Sequence, residues 1–369
     1  MTAIDNRQVG RVDTCEVVVI GAGLVGATVA ASLASEGLDV AVLEAREVAG
    51  GATGHTAGLV LTGLPIPYAQ AITQHGREAA QALWRLTVDN RERLTAVADR
   101  LGVALERTGS LNLAINAEQV KKLRTSAEML IADGFAVRFE EDDPLGRGFI
   151  AALHCPDDVI VDTVALTEKL LHNVPTHPGT EVYGLEQDGD HVLVLARGRT
   201  VKASTVVLAV NAYAPLIDGY FADKVAPARG HIFATRPLDE RLIATPGRVG
   251  SFSFSQTSDD RLLFCAWQTQ YEAPITGPDD DSVEIDLMRF IGRHFPEATN
   301  QFVHRWSTIT GSSRDGLPLI GALPHLTQVF FAVGFANYGL SLAFASAELL
   351  TGLIVRGAEP TLLSARRLE

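Results

Sequence analysis

The sequence of 369 residues predicts an α/β protein with two lobes, one a Rossmann-type unit and the other an antiparallel sheet. Three observations lead to this prediction. Near the start, EVVVI, LVGATVAASLASEG and DVAVLE have the patterns of a strand, a helix and a strand. A later block, residues 225–271, alternates apolar and polar residues as half-buried strands do. The tail then repeats strand, turn and helix, so we expect the lobes to interleave along the chain.

The first element is a strand, a glycine turn and a helix that together predict a dinucleotide site. Gly21, Gly23 and Gly26 have GxGxxG spacing between the strand and the helix. Gly21 permits the tight turn, Gly23 lets a pyrophosphate approach, and Gly26 lets the helix pack on the strand. Glu44 ends the second strand, where it would bond an adenosine ribose and repel a 2′-phosphate. The unit is predicted to bind an adenine dinucleotide, and the motif alone does not choose between FAD and NAD.

The remaining elements follow in order along the chain. Residues 69–101 have the pattern of a long helix, and LERTGSLNLAI that of a strand. AEQVKKLRTSAEMLIADG and VDTVALTEKLLHNV are predicted to be amphipathic helices, and short strands return over residues 180–208. HIFATRPL, SFSFSQ and RLLFCAWQ then alternate as strands. The tail is predicted to be a strand, VFFAVGF, a turn, NYG, and a helix, LSLAFASAELLTGLIV.

Composition and charge argue against several classes of partner. The net charge of −13 and the pI of about 5.2 disfavour binding to nucleic acid or to an anionic membrane. The N-terminal stretch does not have the pattern of a signal peptide, and the last apolar stretch contains Glu348 and is expected to be too short for a membrane span. Cys15, Cys155 and Cys265 lack CxxC spacing, so no metal site or disulfide framework is predicted. A cytoplasmic location is the expectation.

Four segments carry a resemblance to a known family: the opening strand–helix–strand unit, GGATGHTAGLV, KASTVVLAVNAYAP, and SSRDGLPLIG with VGFANYGLSLAFA. The chain resembles the D-amino-acid-oxidase-like FAD oxidoreductases, most closely their amine-oxidising branch. That superfamily includes glycine oxidase, sarcosine oxidase, dimethylglycine dehydrogenase and glutamylputrescine-type amine oxidases. The resemblance implies FAD stretched between two lobes. We expect a discontinuous FAD-binding lobe and an antiparallel-sheet substrate lobe, the first over residues 13–104, 149–224 and 305–369, the second over 105–148 and 225–304.

Carried over by position, the resemblance assigns residues along the length of FAD. With the glycines of the turn, the residues implied beside the pyrophosphate and adenosine are Leu24, Val25, Glu44, Ala45 and, through its backbone, Val182. Those implied at the middle of FAD and at the flavin ring are Ala52, Thr53, Ala57, Gly58 and Leu59. Those implied at the pyrimidine edge of the ring are Asn337, Tyr338, Gly339, Leu340 and Ser341. A helix N-terminus expected at this last position would stabilise negative charge on the reduced flavin.

His55 is the one imidazole in a stretch of otherwise small residues, GGATGHTAGLV. In the dimethylglycine and sarcosine dehydrogenase branch a similar stretch carries a histidine bonded covalently to the flavin. In other branches the position is arginine or a small residue, and the flavin is not attached there. The resemblance therefore leaves two alternatives for His55: a covalent link to FAD, or a histidine packed or hydrogen-bonded near the ring.

The positions that bind the substrate carboxylate in relatives lack cations in this chain. Glycine oxidase-like members have arginines at the positions of Thr310 and Asn337, and the sarcosine oxidases have a lysine at that of Ser341. A buried carboxylate beside the reacting carbon needs a cation, so the departure favours an amine whose acid group, if any, is remote. Arg229 and Arg314 remain as replacements; a structural ion pair is the expectation for Arg314.

The implied chemistry asks little of the side chains. A neutral amine must place its α-carbon about 3–3.5 Å from flavin N5, and hydride transfer then gives an imine that water hydrolyses. An apolar pocket lowers the pKa of the amine by desolvation. The catalytic and substrate-pocket candidates are Tyr338, His231, Arg229 and Trp267, with Phe252, Phe254 and Tyr271 as further wall residues. For His231, a core position and a ligand contact are equal alternatives.

The sequence thus predicts an FAD-dependent amine oxidase or dehydrogenase with a small-molecule amine as substrate. Oxygen is the expected electron acceptor, with an electron-transfer protein as the other possibility. One alternative is an α-amino-acid oxidase of the same fold, with Arg229 or Arg314 as a relocated clamp. Another is a flavin-binding subunit of a multi-subunit dehydrogenase without turnover of its own. The sequence leaves open the identity of the amine and the oligomeric state.

Overall fold

The computed structural model describes residues 12–267 and 281–369 as an α/β protein in which three sheets are surrounded by helices. The predicted pocket residue Tyr271 lies outside the described residues. The helices are α1 (Leu24–Ser35), α2 (Tyr68–His75), α3 (Arg77–Leu101), α4 (Ala117–Ala132), α5 (Thr163–Leu171), α6 (Ala214–Ile217), α7 (Asp281–His294) and α8 (Gly339–Arg356). The strands are β1 (Val12–Ile20), β2 (Val40–Leu43), β3 (Leu59–Val60), β4 (Leu105–Glu106), β5 (Ser110–Ala114), β6 (Arg138–Glu140), β7 (Ala151–Cys155), β8 (Val159–Val161), β9 (Thr176–His177), β10 (Val182–Asp188), β11 (His191–Ala196), β12 (Arg199–Leu208), β13 (Val225–Thr235), β14 (Gly247–Val249), β15 (Phe252–Gln256), β16 (Leu262–Trp267), β17 (Phe302–Ser313), β18 (Leu319–Ala322) and β19 (Val329–Val333).

The first sheet is the Rossmann-type lobe. Its strand order is β10-β11-β12-β1-β2-β9, and β19 pairs with both β12 and β18. β1 is parallel to β2 and β12, and its residues alternate between two separate hydrophobic cores. One core contains Val17 and Val19 with α1 and α8, and the other contains Val18 and Ile20 with Phe221. A strand segment buried on both faces must be apolar at every position, as Val17–Ile20 is.

The second sheet has the order β17-β13-β16-β15-β14-β5-β7-β6 and is antiparallel except where β14 runs parallel to β5. α7 packs on one of its faces through an aromatic cluster that includes Phe254, Phe264, Phe290 and Phe295. A small third sheet has the strand order β3-β8-β4, and its strand β3 is the end of the stretch GGATGHTAGLV. The predicted antiparallel substrate lobe corresponds to this second sheet.

Sheet membership shifts two of the predicted lobe boundaries. β7 lies in the predicted FAD segment 149–224, yet it pairs with β5 in the second sheet, with Cys155 opposite Ser110. β17 crosses the predicted boundary at 304/305 and pairs with β13 along its whole length. A strand pattern predicts a strand but not its partner, because the partner lies far away in sequence. The predicted helix over 69–101 is also broken, at Gly76, whose φ of +82° ends α2 before α3 begins.

α8 has 18 residues and is apolar, so on length and composition alone it could cross a membrane. The expectation that this stretch is too short for a span is therefore wrong. In the described structure 56% of the helix is buried, and it packs against α1 and α3. This burial is the pattern of a core helix.

Candidate active site

A cavity of about 630 Å³ runs from the glycine turn after β1 to the second sheet. Its size is that of a cofactor or ligand pocket. The walls come from residues far apart in sequence: Gly21, Gly23–Val25, Glu44–Arg46, Gly51–Thr53, Thr56, Thr180–Tyr183, Ala209–Tyr213, Leu216, Trp267, Ile309, Thr310, Phe335–Asn337, Gly339 and Leu340. The cavity therefore joins the two lobes.

At one end, the glycine turn has the close packing that the motif predicts. Gly21 has a φ of +105°, and a Cβ atom there would lie 2.6 Å from the carbonyl oxygen of Ala209. A Cβ atom on Gly26 would lie 2.0 Å from the carbonyl oxygen of Gly21, so only glycine lets α1 approach β1. The N–H of Leu24 donates to Oγ1 of Thr53 at 3.0 Å, which ties the start of α1 to the residue 53 turn. The N-terminus of α1 thus borders the cavity, where its dipole favours an anion.

The side chain of Glu44 is fixed by two backbone groups. Oε2 accepts from the N–H of Ala22 and Oε1 from the N–H of Arg46, both at 2.8 Å. Each carboxylate oxygen keeps a second lone pair for a ribose hydroxyl. The carbonyl of Glu44 accepts from the N–H of Thr180 at 2.7 Å, which brings the Thr180–Tyr183 stretch and the predicted adenine contact Val182 to the cavity.

The stretch that follows Glu44 lies only partly on the cavity. Ala52 and Thr53 line it, whereas a Cβ atom on Gly58 would lie 2.3 Å from the carbonyl oxygen of Val161. Gly58 and its neighbours Ala57 and Leu59 therefore follow β8, with Leu59 opposite Ile160, and are not among the residues that line the described cavity. Their assignment to the middle of FAD stays a prediction.

His55 ends the 3₁₀ turn Ala52–His55 and is partly buried. Its Nδ1 lies 2.8 Å from the carbonyl oxygen of Gly51. A carbonyl only accepts, so Nδ1 carries a proton in this contact, and Nε2 is the nitrogen that has a lone pair in the neutral ring. Among the described cavity residues Thr56 is present and His55 is not. This geometry is compatible with both alternatives drawn from the sequence.

At the other end of the cavity, the turn before α8 supplies Asn337, Gly339 and Leu340. Tyr338 is the residue that precedes the helix, and only 5% of its surface is exposed. Oγ of Ser341 accepts from the N–H of Leu61 at 2.9 Å, so the first turn of α8 is anchored to the chain after β3. The uncapped N-terminus of α8 therefore lies at this end of the cavity.

Asn90 of α3 holds the same turn from behind. Its Oδ1 accepts from the N–H groups of Phe344 and Ala345, at 2.8 and 3.2 Å, and its Nδ2 donates to the carbonyl of Leu340 at 2.9 Å. Asn90 is completely buried. Its amide thus bonds both N–H and C=O groups in the first turns of α8 and ties the start of this helix to α3.

The second sheet presents Trp267 to the cavity. Trp267 is opposite Gly230 in the β13–β16 pair, and a Cβ atom on Gly230 would lie 2.4 Å from the indole ring. The indole therefore lies across a position that must be glycine. Trp267 thus lines the cavity, and its assignment to the substrate pocket stays a prediction.

Three other predicted pocket residues lie on the opposite face of this sheet. His231 is paired with Ala266, and Ala266 belongs with Phe254 to the core that α7 covers. Phe252 packs against the same core, and His231 is 3% exposed. Because side chains alternate between faces along a strand, residues one position from Gly230 or Trp267 turn away from the cavity. Of the two alternatives for His231, the structure shows the core position, and it places Phe252 and Phe254 in the core and not on the cavity wall as predicted.

Neither predicted replacement clamp lies on the described cavity wall. Arg314 donates to the carbonyl of Asp223 at 2.8 Å and pairs with its carboxylate at 3.2 Å, as expected of a structural ion pair. Arg229 is opposite Ile309 in β17 and is partly buried. Thr310 and Asn337, where relatives have arginines, do line the cavity and are neutral.

A cation that no sequence motif marks, Arg248 of β14, contacts the turn before α8. Arg248 donates through Nε to Oδ1 of Asn112 and through Nη1 to the hydroxyl of Tyr338. β14 has three residues, and no motif marks it in the sequence. The sequence also does not predict that Arg46, Thr180 and Asn211 line the cavity. No side-chain type marks these positions, because the fold of the backbone places them there.

A buried carboxylate lies behind this arginine. Asp158 is 1% exposed and accepts from the N–H and Oγ1 of Thr62, at 2.9 and 2.6 Å, and from Oγ of Ser110 at 2.7 Å. Arg91 lies 3.5 Å from its Oδ1. Burial raises the pKa of Asp158, while the hydrogen bonds and Arg91 act in the opposite direction. The network joins α3, β5 and the chain after β3.

Comparisons with known proteins agree on one family. The profile of the DAO family, described as FAD dependent oxidoreductase, matches residues 16–353. A glycine oxidase of Pseudomonas aeruginosa is 26% identical over 93% of this chain and 95% of its own length. A gamma-glutamylputrescine oxidoreductase of Escherichia coli is 24% identical over 94% of this chain and 85% of its own. The crystal structure of glycine oxidase from Geobacillus kaustophilus has the same fold, with a TM-score of 0.82 and 20% identity over 96% of this chain and 98% of that one.

Proposed function

The chain belongs to the DAO family of FAD-dependent oxidoreductases, and from this premise we propose that it oxidises the C–N bond of a primary or secondary amine. The family resemblance and the fold expected from the sequence are thereby confirmed. The amine would be oxidised to an imine, and water would hydrolyse the imine to a carbonyl compound and a smaller amine or ammonia. Oxygen is the acceptor we propose for the electrons.

The residues around the cavity fit FAD. A Cβ atom on Gly23 would lie 3.1 Å from Oγ1 of Thr53, so the absence of a side chain keeps open the space beside the N-terminus of α1. That N-terminus would hold the pyrophosphate, and Glu44 the ribose. Asn337 and Gly339 would lie along the flavin ring. FAD, when bound, takes up the electron pair and the hydrogen that leave the substrate carbon.

The observation that carries the proposal is the continuity of the cavity from the dinucleotide motif to Trp267 of the second sheet. Trp267, Ile309, Phe335 and Leu340 give this end an apolar wall. Such a wall excludes water and lowers the pKa of a bound amine, so the amine can react in its neutral form without a strong base. The N-terminus of α8 adds a dipole that favours negative charge at the same end.

Anaerobic reduction of the holoprotein tests the proposal. Primary, secondary and N-methyl amines, each with and without a carboxylate, are mixed with the protein, and the flavin band is followed. We expect at least one amine to bleach the band, and admission of air to restore it if oxygen is the acceptor. A protein that no amine bleaches would contradict the proposal and favour a flavin-binding subunit of a larger dehydrogenase.

The state of His55 is decided by a separate measurement. Acid precipitation of the holoprotein leaves a yellow pellet if FAD is bonded covalently and a colourless one if it is not. The variant His55→Ala is the control, because a yellow pellet from it would place the link at another residue. The hydrogen bond from Nδ1 to Gly51 leaves Nε2 as the nitrogen that could form the bond.

A further inference from the structure

The wall of the cavity near Trp267 carries two neutral polar side chains, Thr310 of β17 and Asn337 of the turn before α8. Thr308 is opposite Gly230 in β13, and Gly230 is opposite Trp267 in β16. Thr310 is two residues from Thr308, so its side chain lies on the same face of the second sheet as the indole. Thr310 and Trp267 therefore border the same space.

Thr310 and Asn337 lie close together because β17 and the turn before α8 meet beside them. Their chain neighbours are joined directly, since the N–H of Ala336 donates to the carbonyl of Gly311 at 2.7 Å. The strand and the turn also share an isolated β-bridge one residue further on. The two polar side chains thus belong to one part of the cavity wall.

The hydroxyl of Thr310 is a buried group with an open side. Only 4% of the residue's surface is exposed, and across residues 12–267 and 281–369 no group forms a hydrogen bond with this hydroxyl. Its oxygen is nevertheless not one of the fully enclosed side-chain atoms without a partner, as Nε1 of Trp306 is. Since Thr310 lines the cavity, the hydroxyl is available to a ligand there.

Asn337 is the more exposed of the two residues. Its amide, too, forms no hydrogen bond within the described part of the chain. The amide oxygen accepts and the NH2 group donates, whereas the Thr310 hydroxyl can do either. Together the two side chains offer donors and acceptors without charge.

The charged residues of the described cavity wall are at the dinucleotide end. They are Glu44, Arg46 and Glu181. Arg248 contacts the turn before α8 and is not among the residues of this wall. A carboxylate at the Trp267 end would therefore lose its hydration without meeting a cation on the wall, which is costly.

A neutral group that both accepts and donates hydrogen bonds fits this part of the wall. A carboxamide has a carbonyl oxygen that accepts and an N–H that donates, so it can pair with both side chains at once. An alkyl group in the same place would leave the buried hydroxyl of Thr310 without a partner and would bind more weakly for that reason.

We propose that Thr310 and Asn337 bind a carboxamide group of the substrate, so that the substrate is an amine that carries an amide in place of a free carboxylate. This inference rests on the proposed amine oxidation and specifies its substrate class. The flavin ring of FAD also has carbonyl and N–H groups at its pyrimidine edge, so the affinity for FAD is measured beside the binding of the amide.

Amide binding is tested with benzamide and benzoate, which have nearly the same shape and differ in charge. Each is titrated into the FAD-loaded protein, and the change in the flavin absorption spectrum gives Kd. We expect benzamide to bind at least about 10-fold more tightly, because benzoate is desolvated without a cation. Thr310→Val keeps the shape and removes the hydroxyl, so it should weaken benzamide about 10-fold and benzoate less than about 2-fold. Thr310→Ser keeps the hydroxyl and should keep the preference.

Two further variants test the second side chain and the position. Asn337→Leu removes the amide at similar volume and should weaken benzamide about 5-fold. Thr299→Val changes an exposed threonine that does not line the described cavity and should alter neither affinity. Thermal unfolding and fluorescence titration of the apoprotein with FAD accompany every variant.

Two results would overturn the proposal. One is equal binding of benzamide and benzoate by the unmodified protein. The other is a Thr310→Val variant that keeps the preference for benzamide but binds FAD about 10-fold more weakly, because the hydroxyl would then serve the cofactor.

Anaerobic reduction by matched amines separates this inference from the proposed function. Glycinamide, glycine and propylamine are compared at equal concentrations of the neutral amine. We expect glycinamide to reduce the flavin at least about 10-fold faster than the other two, and Thr310→Val to remove this advantage. If all three amines reduce the flavin equally fast, the amine oxidation stands and the amide site is overturned. If benzamide binding depends on Thr310 but no amine reduces the flavin, the amide site stands and the proposed oxidation fails.

Discussion

The two ends of the cavity are built in different ways. The dinucleotide end is centred on one short segment, from Gly21 to Glu44, which Thr180–Tyr183 joins, and it depends on backbone approach at glycines. The other end, which we propose as the substrate end, assembles side chains from separate elements, among them Trp267, Ile309, Phe335 and Leu340. One end is specified by the absence of side chains, and the other by their convergence. Substitutions should therefore act on cofactor affinity at the first end and on substrate choice at the second.

The strongest test of this difference is Gly26→Val. The new Cβ atom would lie 2.0 Å from the carbonyl oxygen of Gly21, so α1 must move away from β1. We expect a loss of about 3 kcal/mol in the free energy of unfolding and a roughly 100-fold weaker affinity for FAD. Fluorescence titration of the apoprotein with FAD and thermal unfolding measure both.

Gly292→Ala is the matched control for that change. Gly292 lies in α7, and a Cβ atom there would meet no atom within 4 Å. Alanine is the better helix former, so we expect equal or slightly higher stability and unchanged FAD affinity. Unchanged FAD affinity in Gly26→Val would show that the close packing of the turn is not needed for the cofactor.

A smaller effect is expected from Asn90→Leu, which acts on the start of α8. Leucine has a similar volume but removes three hydrogen bonds to the start of α8, two of them buried. We expect the free energy of unfolding to fall by about 2 kcal/mol, because backbone groups lose their partners. Chemical denaturation measures the loss. Asn116→Ala removes a single exposed helix cap, at Gln119, and should cost less.

Trp267→Leu is expected to act on the substrate end alone. The indole lies on the cavity wall, so its loss should raise KM for apolar amines about 10-fold and leave FAD affinity within 2-fold. Phe254→Leu, on the opposite face of the same sheet, should lower stability without changing KM. Steady-state kinetics and FAD titration of the two variants compare the faces directly. Equal effects on KM would contradict the assignment of faces.

The smallest expected effect lies away from both ends, at Asp133. Its carboxylate accepts from the hydroxyl of Tyr68 and from Arg77, both at 2.7 Å, and these contacts lower its pKa below the usual value. Because its pKa is lower in the folded state, the ionised carboxylate stabilises the folded protein at any pH above the unfolded-state pKa. This stabilisation is lost as the pH falls through the folded-state pKa. Asp133→Asn should therefore lower Tm by about 2 °C at pH 7 and by less below about pH 4. A difference that is independent of pH would contradict this account.

The sequence predicts most where a single short segment of the chain forms a whole part of the candidate site. The strand, the turn and the helix around Gly21, Gly23 and Gly26 could be predicted because each glycine has a local reason to be there. His231 shows the limit: its chemistry was suggestive, but a shift of one residue along a strand decides which face it takes, and only the register with Ala266 reveals that. Arg248 could not be predicted, because its partners Asn112 and Tyr338 are brought together only by the fold.

The position of β1 in the middle of the first sheet has a consequence for how the chain is made. Ile20 pairs with Leu208, about 190 residues later, so the ribosome must synthesise more than half of the protein before β1 gains this neighbour. At roughly 5–20 residues per second, an apolar strand with an open edge waits for about 10–40 s. β12 gains β19 only after another 120 or so residues. A nascent chain of this kind is exposed to edge-to-edge aggregation, and its yield in a cell should depend on chaperones that bind the unpaired strand.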